Sequence, residues 1–167
     1  AMAYVGEVPW HGLGQQLQAG QPIEKWVEAA QLNWKIRMLP VNYQFQDRVR
    51  SMPERFVLAR DDIGTALSIV SADYQVVQPA EILDFYRELV EERRYTLETA
   101  GALDGGRKVW ALARTGLVAD VAGDSRDQLG AYVLLATSCD KSLATTATFT
   151  SIRVVCQNTL GFAFDDV

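Results

Sequence analysis

Histidine and cysteine are scarce in this chain of 167 residues: His11 stands alone, and Cys139 and Cys156 are the only thiols. A single histidine excludes a metal centre built on several. Two cysteines without a C-x-x-C pair argue against both a disulfide framework and a structural zinc site, so a reduced, cytoplasmic setting is expected. No apolar run approaches the roughly 18 residues that a membrane helix needs, and no basic start followed by an apolar stretch marks secretion. There is no H-E-x-x-H helix, no glycine-rich phosphate loop and no nucleophile elbow. Positive charge is also short, with a net charge of −5. That balance excludes coating duplex DNA by bulk electrostatics, which needs many Lys and Arg to replace counterions, and leaves open only a local basic groove.

What is present suffices for a real core. With 49% hydrophobic residues and no repeat or low-complexity linker, residues 1–167 read as one α+β domain, the N-terminal part of a longer protein. Ala1 ahead of Met2 reads as a cloning remnant outside the fold, and the start reads as irregular. Pro22 followed by Ile23, Trp26, Val27 and Ala30 at helical spacing predicts a helix to about Leu32. Trp34, Ile36 and Met38, then Val41, Tyr43 and Phe45 beyond Pro40, alternate as an extended edge arm broken by the proline. Residues 55–60 and 66–70 read as a hairpin around Asp61-Asp62-Ile63-Gly64, with Arg48, Arg50, Arg55 and Arg60 close by. A strand over 74–77 is expected before Pro79 opens the longest helix, whose core stripe is Ile82, Phe85, Tyr86, Leu89 and Val90. Strands near 95–100 and 108–114 meet through Asp104-Gly105-Gly106, and an acidic loop over 116–128 follows. The expected architecture is a mostly antiparallel sheet built from hairpins and packed against two or three helices.

The stretch 130–160, GAYVLLATSCDKSLATTATFTSIRVVCQNTL, carries the most polar detail. Residues 131–137 are apolar on both faces, as an interior strand should be. In 143–150 the faces differ: Leu143, Thr145, Ala147 and Phe149 point one way, and Ala144, Thr146, Thr148 and Thr150 the other. The threonine row fits either an ordinary solvent face or a hydroxyl surface that holds phosphates, flanked by Lys141 at the turn and Arg153 beyond it.

Three ordered signatures resemble those of the phage/plasmid-like protein family, the domain of unknown function 932 group. They are Pro9-Trp10-His11-Gly12-Leu13-Gly14, Thr99-Ala100-Gly101-Ala102-Leu103-Asp104-Gly105-Gly106-Arg107 with Val109-Trp110-Ala111, and Arg153-Val154-Val155-Cys156-Gln157-Asn158-Thr159-Leu160. The resemblance implies residence on mobile elements, which often encode recombination, replication or counter-defence proteins, and brings no settled activity. A more distant similarity of element order is to the Rad52-like single-strand annealing architecture, in which a basic groove holds single-stranded DNA. Fold analogy of this kind suggests a function without establishing it.

Three function classes follow. The first is single-stranded DNA binding in recombination or annealing: Arg107, Lys108, Lys141 and Arg153 would neutralise phosphates, Thr146 and Thr148 would line the surface, and Tyr95 or Trp110 would stack on bases or simply pack. The second is a non-catalytic interaction or counter-defence module. There, Trp10 and His11 form a glycine-flanked anchor laid on the body or on another subunit of a homo-oligomer. The third is an enzyme using Cys156, His11 and Asn158 as thiol, base and orienting amide, against which stands Cys156 as a buried, inert thiol in a Val-Val-Cys run. Carboxylates at Asp104, Asp120, Asp124 and Asp140 single out no magnesium pair. The expectation is a protein without catalysis, metal, cofactor or membrane association.

Overall fold

The computed structural model describes residues 1–6, 14–120, 128–140 and 144–150, and for 117–120 and 128–131 the backbone alone. The fold is α+β with mostly antiparallel strands. The main sheet has the order β2-β1-β6-β7-β8-β9, formed by β1 (Met2–Val5), β2 (Gln15–Leu17), β6 (Thr96–Leu103), β7 (Lys108–Asp120), β8 (Gln128–Ser138) and β9 (Thr146–Thr150). A second sheet has the order β3-β4-β5, formed by β3 (Ile36–Phe45), β4 (Arg48–Arg60) and β5 (Ala66–Ser71). Two α-helices, α1 (Ile23–Ala29) and α2 (Pro79–Arg93), complete the described residues. That is the lower of the two expected counts, and residues 151–167 lie outside the described residues. No helix among the described residues is long and apolar enough to cross a membrane.

Small residues let α2 come close to the sheet. Val109, Ala111 and Ala113 of β7 and Val133 and Leu135 of β8 face Trp26, Ile82, Leu83 and Tyr86 in one buried cluster. Removing each of the large side chains from water contributes about 1.5–3 kcal/mol. Because the alanines leave room, the Tyr86 hydroxyl reaches the carbonyl oxygens of Ala111 and Val133, each at 2.8 Å. Burial raises its pKa. Arg87 joins the helices through Glu24 at 2.7 Å. The other face of the sheet buries Met2, Tyr4, Trp110, Leu112, Tyr132, Leu134 and Ala136.

Several expectations need correction. The start is not irregular: Ala3 and Tyr4 are buried, β1 pairs antiparallel to β6 and parallel to β2, and the Ala1 carbonyl accepts a hydrogen bond from Ala102 at 3.0 Å. Residues 74–77 form no strand. At the start of β3 the Gln78 side chain stands in for a neighbouring strand, accepting from the Ile36 N–H at 2.7 Å and donating to the Ile36 carbonyl at 3.0 Å. Phe85 leaves the α2 stripe and is 53% exposed, while Leu83 takes its buried place. Of the expected loop over 116–128, β7 claims residues to Asp120 and β8 those from Gln128.

The second sheet seats on the body through Trp34, Ile36, Leu58, Leu67, Val70 and Cys139. Arg60 locks this joint: its guanidinium lies 4.2 Å from the Trp34 ring centroid and donates to the Gly105 carbonyl at 3.0 Å and to Asp62 at 2.7 Å. That hydrogen bond holds the Asp62 carboxyl below its usual pKa. Gly106, at φ +108°, sits so close to Trp34 that a Cβ would come within 2.6 Å of the indole; the tight turn is thus a docking point for the second sheet.

Candidate functional site

The expected phosphate groove does not assemble among the described residues. Arg107 is half-buried and structural: its Nε donates to the Leu67 carbonyl at 2.9 Å, and its own carbonyl accepts from the Cys139 N–H at 2.9 Å, tying the two sheets together. Lys108 pairs at 3.8 Å with Asp104. Thr146 and Thr148 are half-buried and Thr150 is buried, because their register with Ala136, Leu134 and Tyr132 sets them on the Trp110 face of the sheet. The outward row is Ala147 and Phe149, the latter 68% exposed, which reverses the expected assignment of faces. The reason lies in coverage: α2 packs against β7 and β8, leaving the helix side of the last strand open. Trp110 is buried, with Nε1 3.4 Å from the Thr99 hydroxyl, and Tyr95 packs on the helix-side core, so both serve packing. Lys141, Arg153, Trp10, His11, Cys156 and Asn158 lie outside the described residues.

Cys139, the thiol that is described, is buried in the joint between the sheets, and desolvation pushes its pKa up to about 11. Such a thiol stays protonated and unreactive at neutral pH. Among the described residues no three His, Cys, Asp or Glu side chains gather as a metal site.

A different surface stands out. β3 and β4 run on together as a two-stranded ribbon past the end of β5, whose pairing with β4 begins at Arg55. Its register pairs Val41 with Met52, Tyr43 with Arg50 and Phe45 with Arg48 on one face, and Asn42 with Ser51 and Gln44 with Val49 on the other. The second face is mostly polar, with Ser51 Oγ 2.8 Å from Asn42 Oδ1. The first face is aromatic and basic. Tyr43 is 50% exposed, Phe45 55% and Met52 49%, and the Arg50 guanidinium lies 5.7 Å from the Phe45 ring centroid. At this distance the cation and the ring quadrupole attract, so the arginine and the aromatic ring present one composite surface. Toward the body the same face continues through Leu39 and Ile69, both exposed.

Charge is segregated along with hydrophobicity. Between 36 and 60 five arginines stand against Asp47 and Glu54, a net of +3 in a chain of net −5. Asp47 occupies the two-residue tip beside Gln46 at φ +52°, and Glu54, at φ +62°, sits where the β4 register slips. Neither acid belongs to the paired rows of the aromatic face.

No curated protein and no solved structure matches this chain. A family model described as Domain of unknown function (DUF932) matches residues 66–167, which takes in β5, α2 and β6 to β9. The match covers more than half of the chain and includes two of the three signatures named above, and the chain therefore belongs to the DUF932 family.

Proposed function

We propose that this domain binds single-stranded DNA, in recombination or annealing on a mobile element, and that the contact surface is the ribbon face of Tyr43, Phe45, Arg48 and Arg50. What supports the reading is the interleaving of aromatic and guanidinium groups on one exposed face, free of acidic residues in its paired rows. Stacked bases tolerate any sequence because every base offers a π-face, and each is worth about 1–3 kcal/mol on an aromatic side chain. The two arginines supply the phosphate contacts. Neutralising two phosphates of a single strand gives a slope of about −1.4 in log affinity against log salt. Duplex DNA, with its bases already stacked, offers the aromatic groups nothing comparable. The function is one of binding, without catalysis.

The test is a salt-titrated affinity measurement with a labelled oligothymidine and with a matched duplex. Tyr43→Ala with Phe45→Ala is expected to weaken single-strand binding by at least about 10-fold, from the stacking range above, with the melting temperature retained because both side chains face solvent. Equal affinity for single strand and duplex, or a double variant that binds as well as the parent, refutes the proposal.

A further inference from the structure

We infer that the same ribbon face docks on a second copy of this chain, at a stripe on α2 formed by Glu81, Phe85, Glu88 and Glu92. The inference deepens the proposal above, since it rests on the ribbon being the binding element and names a competitor for it. The stripe follows from helical spacing: these four positions recur every three or four residues and share one side of the helix. All four are exposed, with Phe85 at 53%. The helix as a whole carries five carboxylates against Arg87 and Arg93, a net of −3, and Arg87 is already engaged with Glu24 and Asp84.

The two surfaces are complementary in both charge and shape of chemistry. The ribbon offers Arg48 and Arg50 around Tyr43, Phe45 and Met52; the helix offers Glu88 and Glu92 beside Phe85, while Glu81 at its start also caps the helix by accepting from the Gln78 N–H at 2.6 Å. An aromatic anchor rimmed by opposite charges is the composition that carries interface energy and orients encounter. Within one molecule both surfaces stay exposed, so neither covers the other, and a second copy is the occupant that the chain itself supplies. Donor and acceptor patches differ, so the contact is head-to-tail, and its repetition gives a closed ring or a filament according to whether the rotation closes. Single-stranded DNA and the α2 stripe call on the same arginines, so an oligonucleotide displaces the neighbouring copy.

Sedimentation velocity on the full chain from about 1 to 100 μM, where micromolar interfaces associate, tests this with charge exchange. The parent is expected to assemble with rising concentration and to dissociate on adding salt or oligothymidine. Arg48→Glu with Arg50→Glu makes ribbon and stripe both acidic, and Glu88→Arg with Glu92→Arg makes both basic. Each exchanged protein alone is expected to lose association by about 100-fold, as like charges are brought together. Mixed in equal amounts, the two recover it, because every ribbon then meets a stripe of opposite sign. A parent that stays monomeric, exchanged proteins that still assemble singly, or a mixture that fails to recover overturns the inference. Recovery in the mixture with no oligonucleotide binding sustains this contact and removes the DNA proposal; oligonucleotide binding by a strict monomer does the reverse.

Discussion

Replacing Arg107 with methionine separates a structural tie from a phosphate contact. The guanidinium Nε donates to the Leu67 carbonyl at 2.9 Å, and a second nitrogen reaches the Asp104 carbonyl at a long 3.4 Å. Hydrogen bonds from charged groups contribute about 1.5–3 kcal/mol, and the half-buried setting of this one brings the expected loss to about 1–2 kcal/mol. Methionine keeps most of the aliphatic stem packed, so the loss reports the bond more than the volume. For a chain of this size each kcal/mol moves the melting temperature by about 2–4 °C, so Arg107→Met should melt about 2–8 °C lower. Thermal unfolding followed by circular dichroism measures this, and oligothymidine affinity taken well below the transition should stay within about 2-fold of the parent, since less than 0.5 kcal/mol is at stake there. An unchanged melting temperature together with a 10-fold loss of affinity refutes the reasoning and returns Arg107 to a DNA-contacting surface.

Two further outcomes probe the joint beneath the ribbon. Cys139 should resist iodoacetamide at pH 8 in the native protein and react once unfolded, as read by peptide mass spectrometry. With its thiol pushed up to about 11 by burial, the native state keeps a proton that the unfolded chain releases near pH 8.5, so this group's stabilising contribution is complete below about pH 8.5 and is lost as pH rises toward 11. Gly106→Ala should destabilise by at least about 1–3 kcal/mol, since it combines φ +108° with a Cβ forced to 2.6 Å from Trp34; a melting temperature equal to the parent's would remove the turn from its role in seating the second sheet.

The hairpins of the main sheet were legible because their turns carry strong local chemistry: Asp104-Gly105-Gly106 joins β6 to β7, and the positive φ of both glycines fits that reading. The ribbon was harder. Its strands alternate visibly, as Val41-Tyr43-Phe45 and Arg48-Arg50-Met52, yet the connecting Gln46-Asp47 lacks the glycine or asparagine that marks a two-residue turn, and Gln46 takes φ +52° regardless. Pairing also slips at Pro40/Val41, where three residues of β4, Pro53, Glu54 and Arg55, have no partner in β3. The threonine row failed for another reason. Alternation tells which residues share a face and says nothing about which face the helices cover. Polarity suggested solvent for Thr146 and Thr148, whereas the placement of α2 left Phe149 outside. Phe85 and Leu83 flank the buried face of α2 centred on Tyr86 from opposite sides, and Leu83, the nearer of the two by helical angle, is the one that packs.

The ribbon's length has a physical role in an acidic protein. Residues 41–52 carry Arg48 and Arg50 against Asp47, a net of +1, so the remainder of the chain's −5 is −6, a field that repels a polyanion from the body. The two-stranded part spans residues 41–45 paired with 48–52, and five residues at about 3.4 Å each extend it about 17 Å beyond the slip in register. The Debye length is about 10 Å at 0.1 M ionic strength and about 30 Å at 0.01 M. At moderate salt, then, Arg48 near the tip lies beyond a Debye length from the slip and Arg50, two residues closer, within one, so under the proposed function the two attract a strand with the body's repulsion largely screened. At very low salt the body's charge extends over them and opposes that attraction. A basic patch of the same composition laid flat on the body would have no such range of salt in which to work, so under the proposed function the projection of these arginines on a ribbon, more than their number, is what would let a chain of net negative charge bind nucleic acid.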